Sequence, residues 1–585
     1  MYVKLAKTAG FCMGVRRAMT LVLEEAHKGR SPIYTYGPLI HNSQALAMLE
    51  ARGIRSTTDL KEAASGTLVI RTHGATPEKR RELAAAVAGI RDCTCPYVAT
   101  ASGTIKKYAA LGYDIVIVGD PHHPEVIAHL GYAQGRGTVL SDEADVEAYQ
   151  PASQKVCLVA QTTQRTSLFE RAAAKLKGRV RDLEIHNTIC DDTRERQAEV
   201  ASMAREVEAL IVVGGKTSAN TKHLAEIAES LNKPVARIET EEDLDPSWLR
   251  KFTRVGVMAG ASTPNWMMER VLDKVERTRG AREPAFRVAA LSLLRFLSKS
   301  NLYLALGAAA VSYAACRMQG IEPSLVFNFI AAFFVFGVHL LNHFTEPEAL
   351  RVNEPARHAF YIRHRSLLLT LGIVSALGTL VLSSPPLLGG WAPFSVVLLA
   401  LALGVIYRLR IIPGPLAGWL GFRSLSEIPM SKDLFLSLGW VFLTAILPPF
   451  AVQGKAIGPA TLLASLFVFI LAFSRSILYD LRDIQGDMIV GRDTIPIAIG
   501  KPRTQMLLAV LFVLLGGALA LTPVLSGFRL ASSLSLLLLL PTAYAGLALY
   551  LYHRRRIVRG LLFEYAVDSV FLLTGAVAYL WHLFG

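Results

Sequence analysis

From residue 1 to about 278 the chain alternates short apolar runs with longer charged stretches. TLVIRTHGA, YDIVIVGDPHHPEV, VCLVAQTTQ, ALIVVGGKTSANT and RVGVMAGAST carry the runs, each of the length of a strand buried in a parallel sheet. Every run gives way to a polar loop rich in Gly, Ser, Thr or His. The alternation predicts an α/β fold. Ligands in such folds gather outside the carboxyl ends of the strands, so these loops are the expected site.

After about residue 300 the pattern changes to long apolar spans near 302–318, 325–341, 367–384, 392–407, 434–450, 459–474, 505–522, 532–552 and 562–582. They predict an all-α, polytopic membrane bundle of about nine helices. The stretch between, 279–301, contains AREPAFRVAALSLLRFLSKS and reads as a basic linker. The domain reading is therefore 1–278, 279–301 and 302–585.

The chain has 585 residues and a net charge of +15. A soluble protein this basic would suggest a nucleic-acid partner. Here the apolar second half points to a lipid bilayer instead, and no nucleic acid is expected. The cations concentrate in alternate loops, around 351–365, 408–432, 475–503 and 554–559, against only Arg317, Lys455 and Arg529 in the others. The positive-inside rule then places the basic loops and the soluble half in the cytoplasm, on a multi-pass protein of the inner (cytoplasmic) membrane. MYVKLAKTAG has no apolar core, so no signal peptide is expected.

The six cysteines are too dispersed for a disulfide framework. Cys12, Cys95 and Cys190 fall one to each third of the soluble half, as three similar α/β units around a central pocket would place them. Cys12 and Cys190 precede expected helix starts with Arg nearby, a setting that favours thiolate. Three convergent thiolates suit an iron–sulfur cluster or zinc. A zinc or thiol-redox protein stays open at this point, as does inert burial, the ordinary fate of a dispersed cysteine. Inert burial is the reading for Cys157 and Cys316, and Cys93 is ambiguous.

GFCMGV, GPLIHN, RTHGA, TCPYV, HPEV, QTT, the Cys190 segment, GGKTSAN and AGAST occur in that order. The ordered set resembles the 4-hydroxy-3-methylbut-2-enyl diphosphate reductases (the LytB/IspH family) over about 1–278. The resemblance implies three α/β lobes around one [4Fe-4S] cluster. It also implies reductive removal of the substrate hydroxyl, giving isopentenyl and dimethylallyl diphosphates in the last step of the non-mevalonate isoprenoid route. Cys12, Cys95 and Cys190 match the cluster ligands. Glu125 matches the proton-delivering acid and Thr162 its hydrogen-bonding neighbour. His41, His73, His123, Ser218, Asn220 and Ser262 match the diphosphate and substrate shell. These residue types suit the chemistry, since a carboxyl of raised pKa can act as general acid. Imidazoles, hydroxyls and an amide can hydrogen-bond diphosphate oxygens. No nicotinamide or flavin fingerprint is evident, so a ferredoxin or flavodoxin is the expected electron donor.

In the membrane half, RSILYDLRDIQGDMIVGRDTIPIAIG places Asp480, Asp483 and Asp487 at i, i+3 and i+7, one face of a helix. Like charges so close call for a cation among them. The segment resembles the second aspartate motif of the UbiA-superfamily intramembrane prenyltransferases, and the resemblance covers about 290–585. It implies Mg²⁺ between carboxylates and the diphosphate of a prenyl donor. The first motif should lie in LNHFTEPEALRVNEPAR, where Asn342, Asn353, Glu354 and Pro355 match. His343 and Leu350 stand where the family pattern has aspartates, and Glu346 keeps one carboxylate. Two readings stand side by side: a prenyltransferase with a remodelled donor site, and a non-catalytic anchor or isoprenoid-binding module.

Overall fold

The computed structural model describes residues 2–27, 32–278, 285–345, 347–407, 428, 430–452, 457–524, 532–554, 556–557 and 560–584. The chain divides into two units, Met1–Glu283 and Pro284–Gly585.

Twelve strands build the first unit. They run as β1 (Tyr2–Leu5), β2 (Ile33–Tyr36), β3 (Ile54–Thr57), β4 (Thr67–Ile70), β5 (Gly89–Asp92) and β6 (Asp114–Val118). There follow β7 (Gly137–Leu140), β8 (Lys155–Ala160), β9 (Asp182–Ile185), β10 (Ala209–Val213), β11 (Val235–Ile238) and β12 (Arg254–Ala259). They form three four-stranded sheets in the orders β3-β2-β4-β5, β7-β6-β8-β9 and β11-β10-β12-β1. All pairings are parallel. The three orders are one pattern repeated, with the amino-terminal strand completing the last sheet. The three similar α/β units expected from the cysteine spacing are therefore present.

The strands read as continuous apolar runs because helices cover both faces. In the lobe built on β7-β6-β8-β9, Val116, Val118 and Leu158 pack with Leu168 and Phe169 on one side. Ile115, Ile117, Cys157 and Val159 pack with Ile105 and Val126 on the other. Cys157 is wholly buried there, and Cys316 is wholly buried in the membrane unit, as inert burial predicts.

The second unit is helical. Seven described helices are long and apolar enough to cross a membrane, and Leu302–Met318 and Trp391–Gly404 are shorter apolar helices. Each of the nine expected spans falls on one of these. The stretch read as a linker holds a helix of its own, Ala285–Lys299. Several basic residues used for the topology reading (Arg408, Arg410, Arg423, Lys455, Arg529, Arg555 and Arg559) lie outside the described residues.

The span expected at 459–474 is much longer. Pro459–Val490 is one helix of 32 residues, about 48 Å at the usual rise. It exceeds the roughly 30 Å hydrocarbon thickness of a bilayer, so its last turns carry the three aspartates beyond an ordinary span. The aspartates thus sit on a helix, not in a loop between spans. The helix ends at Gly491, whose φ of 79° is the left-handed cap that glycine adopts without strain.

Candidate functional site

In the soluble unit the fold's repeat sets the site. One edge strand of each sheet (β1, β5, β9) is followed within a few residues by a cysteine. Each cysteine in turn opens a helix: Cys12 before Met13–His27, Cys95 before Pro96–Ala110 and Cys190 before Asp191–Glu206. Val15 N–H donates to Cys12 Sγ and Thr193 N–H to Cys190 Sγ, both at 3.4 Å. A Cβ on Gly14 would lie 2.6 Å from Cys95 Sγ and 3.9 Å from Cys12 Sγ, so only glycine leaves these two sulfurs room. All three thiols are free, and each feels the charge of another.

The expectation that helix ends and arginines would favour thiolate is not met by the side chains alone. Burial outweighs them and pushes Cys12 and Cys190 up to about 11, with Cys95 raised as well. A bound metal centre is what would draw these protons off. Three free, convergent sulfurs with backbone donors and a glycine-lined space fit a cluster. Cys93 turns away: it is wholly buried, with Sγ against the Ala18 carbonyl at 4.0 Å.

The remaining expected residues follow the inner strands of the sheets. His41 follows β2, His73 follows β4 and His123 follows β6. Ring nitrogens of the three lie within 4.8 Å of one another. His123 caps the helix Pro124–Tyr132 by accepting from Glu125 N–H at Nδ1, which leaves Nε2 as its donor. Burial holds all three imidazoles below their ordinary range, His41 at about 4. His41 Nε2, His73 Nδ1 and both amide atoms of Asn220 are buried with no partner among the described residues. Such atoms are costly unless a ligand meets them. Ser218 caps the helix that carries Asn220, and Ser262 donates to the His41 carbonyl at 3.0 Å, fixing that loop.

Glu125 is 1% exposed. Thr162 N–H and Oγ1 donate to its two oxygens at 2.6 and 2.9 Å. The Thr162 carbonyl accepts from Cys190 N–H at 3.1 Å, tying the acid to a cysteine loop. The raised pKa expected for this acid is not what the free protein shows. Burial pushes the carboxyl up, but His129, His123 and the Thr162 N–H outweigh it and hold it low.

In the membrane unit a cavity of about 230 Å³ has a charged floor and apolar walls that include Phe334, Val338, Leu403, Phe435 and Phe442. Asn342, His343, Leu350, Asn353 and Glu354 of the first motif line it together with Asp480, Asp483 and Asp487. The two motifs therefore face one site. Glu346 lies outside the described residues. The chain supplies the expected positive partners itself. Lys432 Nζ is 3.0 Å from Asp480, and Arg482 grips Asp483 at 2.8 and 2.7 Å. Asn353 donates to Asp487 at 2.8 Å, with Arg492 3.5 Å away. Asp480 Oδ2, Asp487 Oδ2 and His343 Nε2 remain buried without a hydrogen-bond partner among the described residues.

Residues 3–276 match the model of the LytB protein family, and residues 303–560 that of the UbiA prenyltransferase family. The chain is 41% identical over 288 residues to the 4-hydroxy-3-methylbut-2-enyl diphosphate reductase of Opitutus terrae, covering 99% of that protein and 47% of this chain. It is 38% identical to the enzyme of that name from Geobacter metallireducens, again covering 99% of it. The chain belongs to the LytB family. A solved (E)-4-hydroxy-3-methyl-but-2-enyl diphosphate reductase structure is 38% identical and 99% covered, with a TM-score of 0.38.

Several residues of this LytB-family site escaped the reading of the sequence. Arg196, 1% exposed, donates to the carbonyls of Gly10 and Ala259 at 2.8 Å and to Asp192 at 2.6 Å. It locks the Cys12 loop to the helix that Cys190 opens. TRERQ showed arginines near Cys190 but not which one turns inward. His129 and Ser102, behind Glu125, gave no local signal at all. In the UbiA-like half, Lys432 lies far from the aspartate motif in sequence and looked like one more basic loop residue.

Proposed function

We propose that the LytB-family half reduces 4-hydroxy-3-methylbut-2-enyl diphosphate to isopentenyl and dimethylallyl diphosphates. The observation that carries this is the convergence of three free cysteines, three imidazoles and one buried carboxyl at the carboxyl ends of three repeated sheets. Cys12, Cys95 and Cys190 would hold a [4Fe-4S] cluster. When bound, that cluster supplies low-potential electrons and an open iron for the substrate hydroxyl.

The chain's own residues do the rest. His41, His73, His123 and Asn220, with Ser218 and Ser262 beside them, receive the diphosphate, which satisfies the unpartnered nitrogens and the Asn220 amide. Their grouping fits an anion better than a second metal, because an amide and hydroxyls accompany the imidazoles. Glu125, oriented by Thr162, gives a proton to the leaving hydroxyl. Its carboxyl is low in the free protein; an anionic substrate beside it raises the pKa and readies it as an acid. Electrons come from a ferredoxin or flavodoxin. Glu125→Gln with its iron content intact should lose turnover by about 100-fold or more, measured anaerobically with a viologen reductant. Wild-type turnover there would sink the assignment.

For the UbiA-like half we infer an isoprenoid-diphosphate site in the inner membrane, with the LytB-family half in the cytoplasm. Asp480 Oδ2 and Asp487 Oδ2 fit a single Mg²⁺ shared with a diphosphate. A second ion is not favoured, because His343 and Leu350 take the oxygen-ligand positions. The apolar walls suit a prenyl chain. Mg²⁺-dependent binding of geranylgeranyl diphosphate to the full chain, lost in the triple variant Asp480→Asn, Asp483→Asn, Asp487→Asn, is the expected result. Binding by neither protein would leave the membrane half as an anchor.

A further inference from the structure

Glu125 has a neighbour that the proposed reaction does not use. His129 lies one turn later on the same helix, Pro124–Tyr132, and is wholly buried. Its Nε2 is 3.5 Å from Glu125 Oε1, and its Nδ1 is 3.1 Å from Ser102 Oγ. Ser102 sits on the helix that Cys95 opens and is itself buried. His129 Nε2 has no hydrogen bond among the described residues. A buried nitrogen whose nearest polar neighbour is a carboxylate oxygen is a costly choice where an apolar side chain could fill the space. The ring is therefore poorly explained as filling.

We propose that His129 is a positioning residue that shares a proton with Glu125 and returns one to it after each turnover. This rests on the reductase reading of the same site. A hydroxyl donating from Ser102 to Nδ1 leaves the ring proton on Nε2, facing Oε1. In the reaction the allylic C–O bond breaks with two electrons from an iron–sulfur or flavin carrier protein. The hydroxyl leaves as water with the proton of Glu125, and a second proton, drawn from solvent, is added to carbon. The carboxylate then takes a proton from Nε2, while Nδ1 takes one from Ser102, whose own proton is replaced from solvent. Once product has left, a proton from the emptied pocket crosses Glu125 to Nε2 and the Nδ1 proton returns through Ser102 to solvent, which restores the starting tautomer and closes the count. His123 on the preceding turn and Cys95 at the start of the neighbouring helix are the other ionisable groups near the pair. Thr162 holds both carboxyl oxygens and its hydroxyl is the other group able to pass a proton to them; His129 is the one that connects the carboxyl to Ser102.

The test uses the full-length holoprotein, His129→Gln and Ser102→Ala, assayed anaerobically with excess reduced viologen so that electron delivery does not limit. In His129→Gln kcat should fall at least about tenfold, with KM within twofold, iron content unchanged and a larger solvent deuterium isotope effect on kcat. Ser102→Ala should move kcat and the isotope effect the same way, by less. Wild-type kcat and isotope effect in both variants would overturn the proposal. Should His129→Gln lose its cluster, Ser102→Ala decides, and wild-type behaviour there overturns the relay. A wild-type chain with a full cluster and no reductase activity would instead refute the function proposed for the site.

Discussion

Gly14→Ala is the most economical probe of where the three sulfurs meet. The added Cβ would stand 2.6 Å from Cys95 Sγ and 3.3 Å from Cys95 Cβ. Ordinary contact distances are about 3.5–4.0 Å, so the sulfur must retreat by about 1 Å. Metal–ligand distances tolerate about 0.2 Å, so the displacement is about five times what a bound cluster allows. The helix starting at Met13 cannot easily move instead, because Cys12 N–H is bonded to the Ala261 carbonyl at 2.9 Å and Val15 N–H to Cys12 Sγ. Overpacking of this kind costs about 1–3 kcal/mol, which the remaining core can absorb. The expected result is a folded protein with normal circular dichroism, at most about a third of the wild-type iron and acid-labile sulfide per chain, and no reductase activity. Full cluster loading with wild-type turnover in Gly14→Ala would refute the convergence of Cys12 and Cys95 on one metal centre.

Arg196→Met keeps the volume but removes the guanidinium that joins Gly10, Ala259 and Asp192; breaking such a buried, charged network should cost about 3–5 kcal/mol, read as a lower urea midpoint of the soluble unit's transition, and an unchanged midpoint would contradict the account. The three imidazoles are held low by burial in the free protein, His41 at about 4, and a diphosphate against them raises their pKa values, so binding takes up protons and tightens as pH falls. Calorimetry of inorganic diphosphate binding at pH 7 in buffers of different ionisation enthalpy should show net proton uptake; zero uptake would mean that the imidazoles bind only as neutral donors. Gly486→Ala would bring a Cβ within 1.7 Å of Asn353 Oδ1, forcing the first motif off the second, and should abolish Mg²⁺-dependent prenyl diphosphate binding in detergent while the helical signal stays.

How much could be read beforehand differs between the halves. β8, β10 and β12 were legible as apolar runs because helices bury both of their faces, and the site loops were legible because strand ends are punctuated by Gly, Ser, Thr and His. The nine spans were legible by hydropathy. Charge was the harder matter. A cysteine before a helix reads as a thiolate, yet desolvation wins at Cys12 and Cys190, and depth of burial is a tertiary quantity that no local pattern carries. The same blindness applies to Glu125, whose carboxyl is set by His129, a partner one turn away whose role depends on where the helix Pro96–Ala110 lies. The edge strands β3 and β7 were missed because their partly exposed residues, IRST and GTVL, do not form the apolar run that the equally short inner strand β4 shows.

The aspartate face of the membrane half shows how a sequence pattern can call for positive charge without saying which groups supply it. Three carboxylates on one helix face do require positive charge, and the helix Pro459–Val490 brings them to a single cavity. Much of that charge is on the chain: Lys432 beside Asp480, Arg482 across Asp483, and Arg492 near Asp487. Arg475 is paired with Asp568, and Arg357 is shared by Glu354 and Glu564. Each aspartate of the motif nonetheless has a donor from the chain beside it before any ion binds, Asp487 through Asn353 as well, so a metal is not needed to hold the three together. It would be needed only when a diphosphate adds its own negative charge, and then through the two oxygens the protein leaves unmatched. Metal binding should therefore depend on the diphosphate rather than precede it. Full-chain protein titrated with Mn²⁺ as a spectroscopic substitute should bind the ion weakly alone and at least about tenfold more tightly with geranylgeranyl diphosphate present. Equal Mn²⁺ affinity with and without the diphosphate would refute this charge argument.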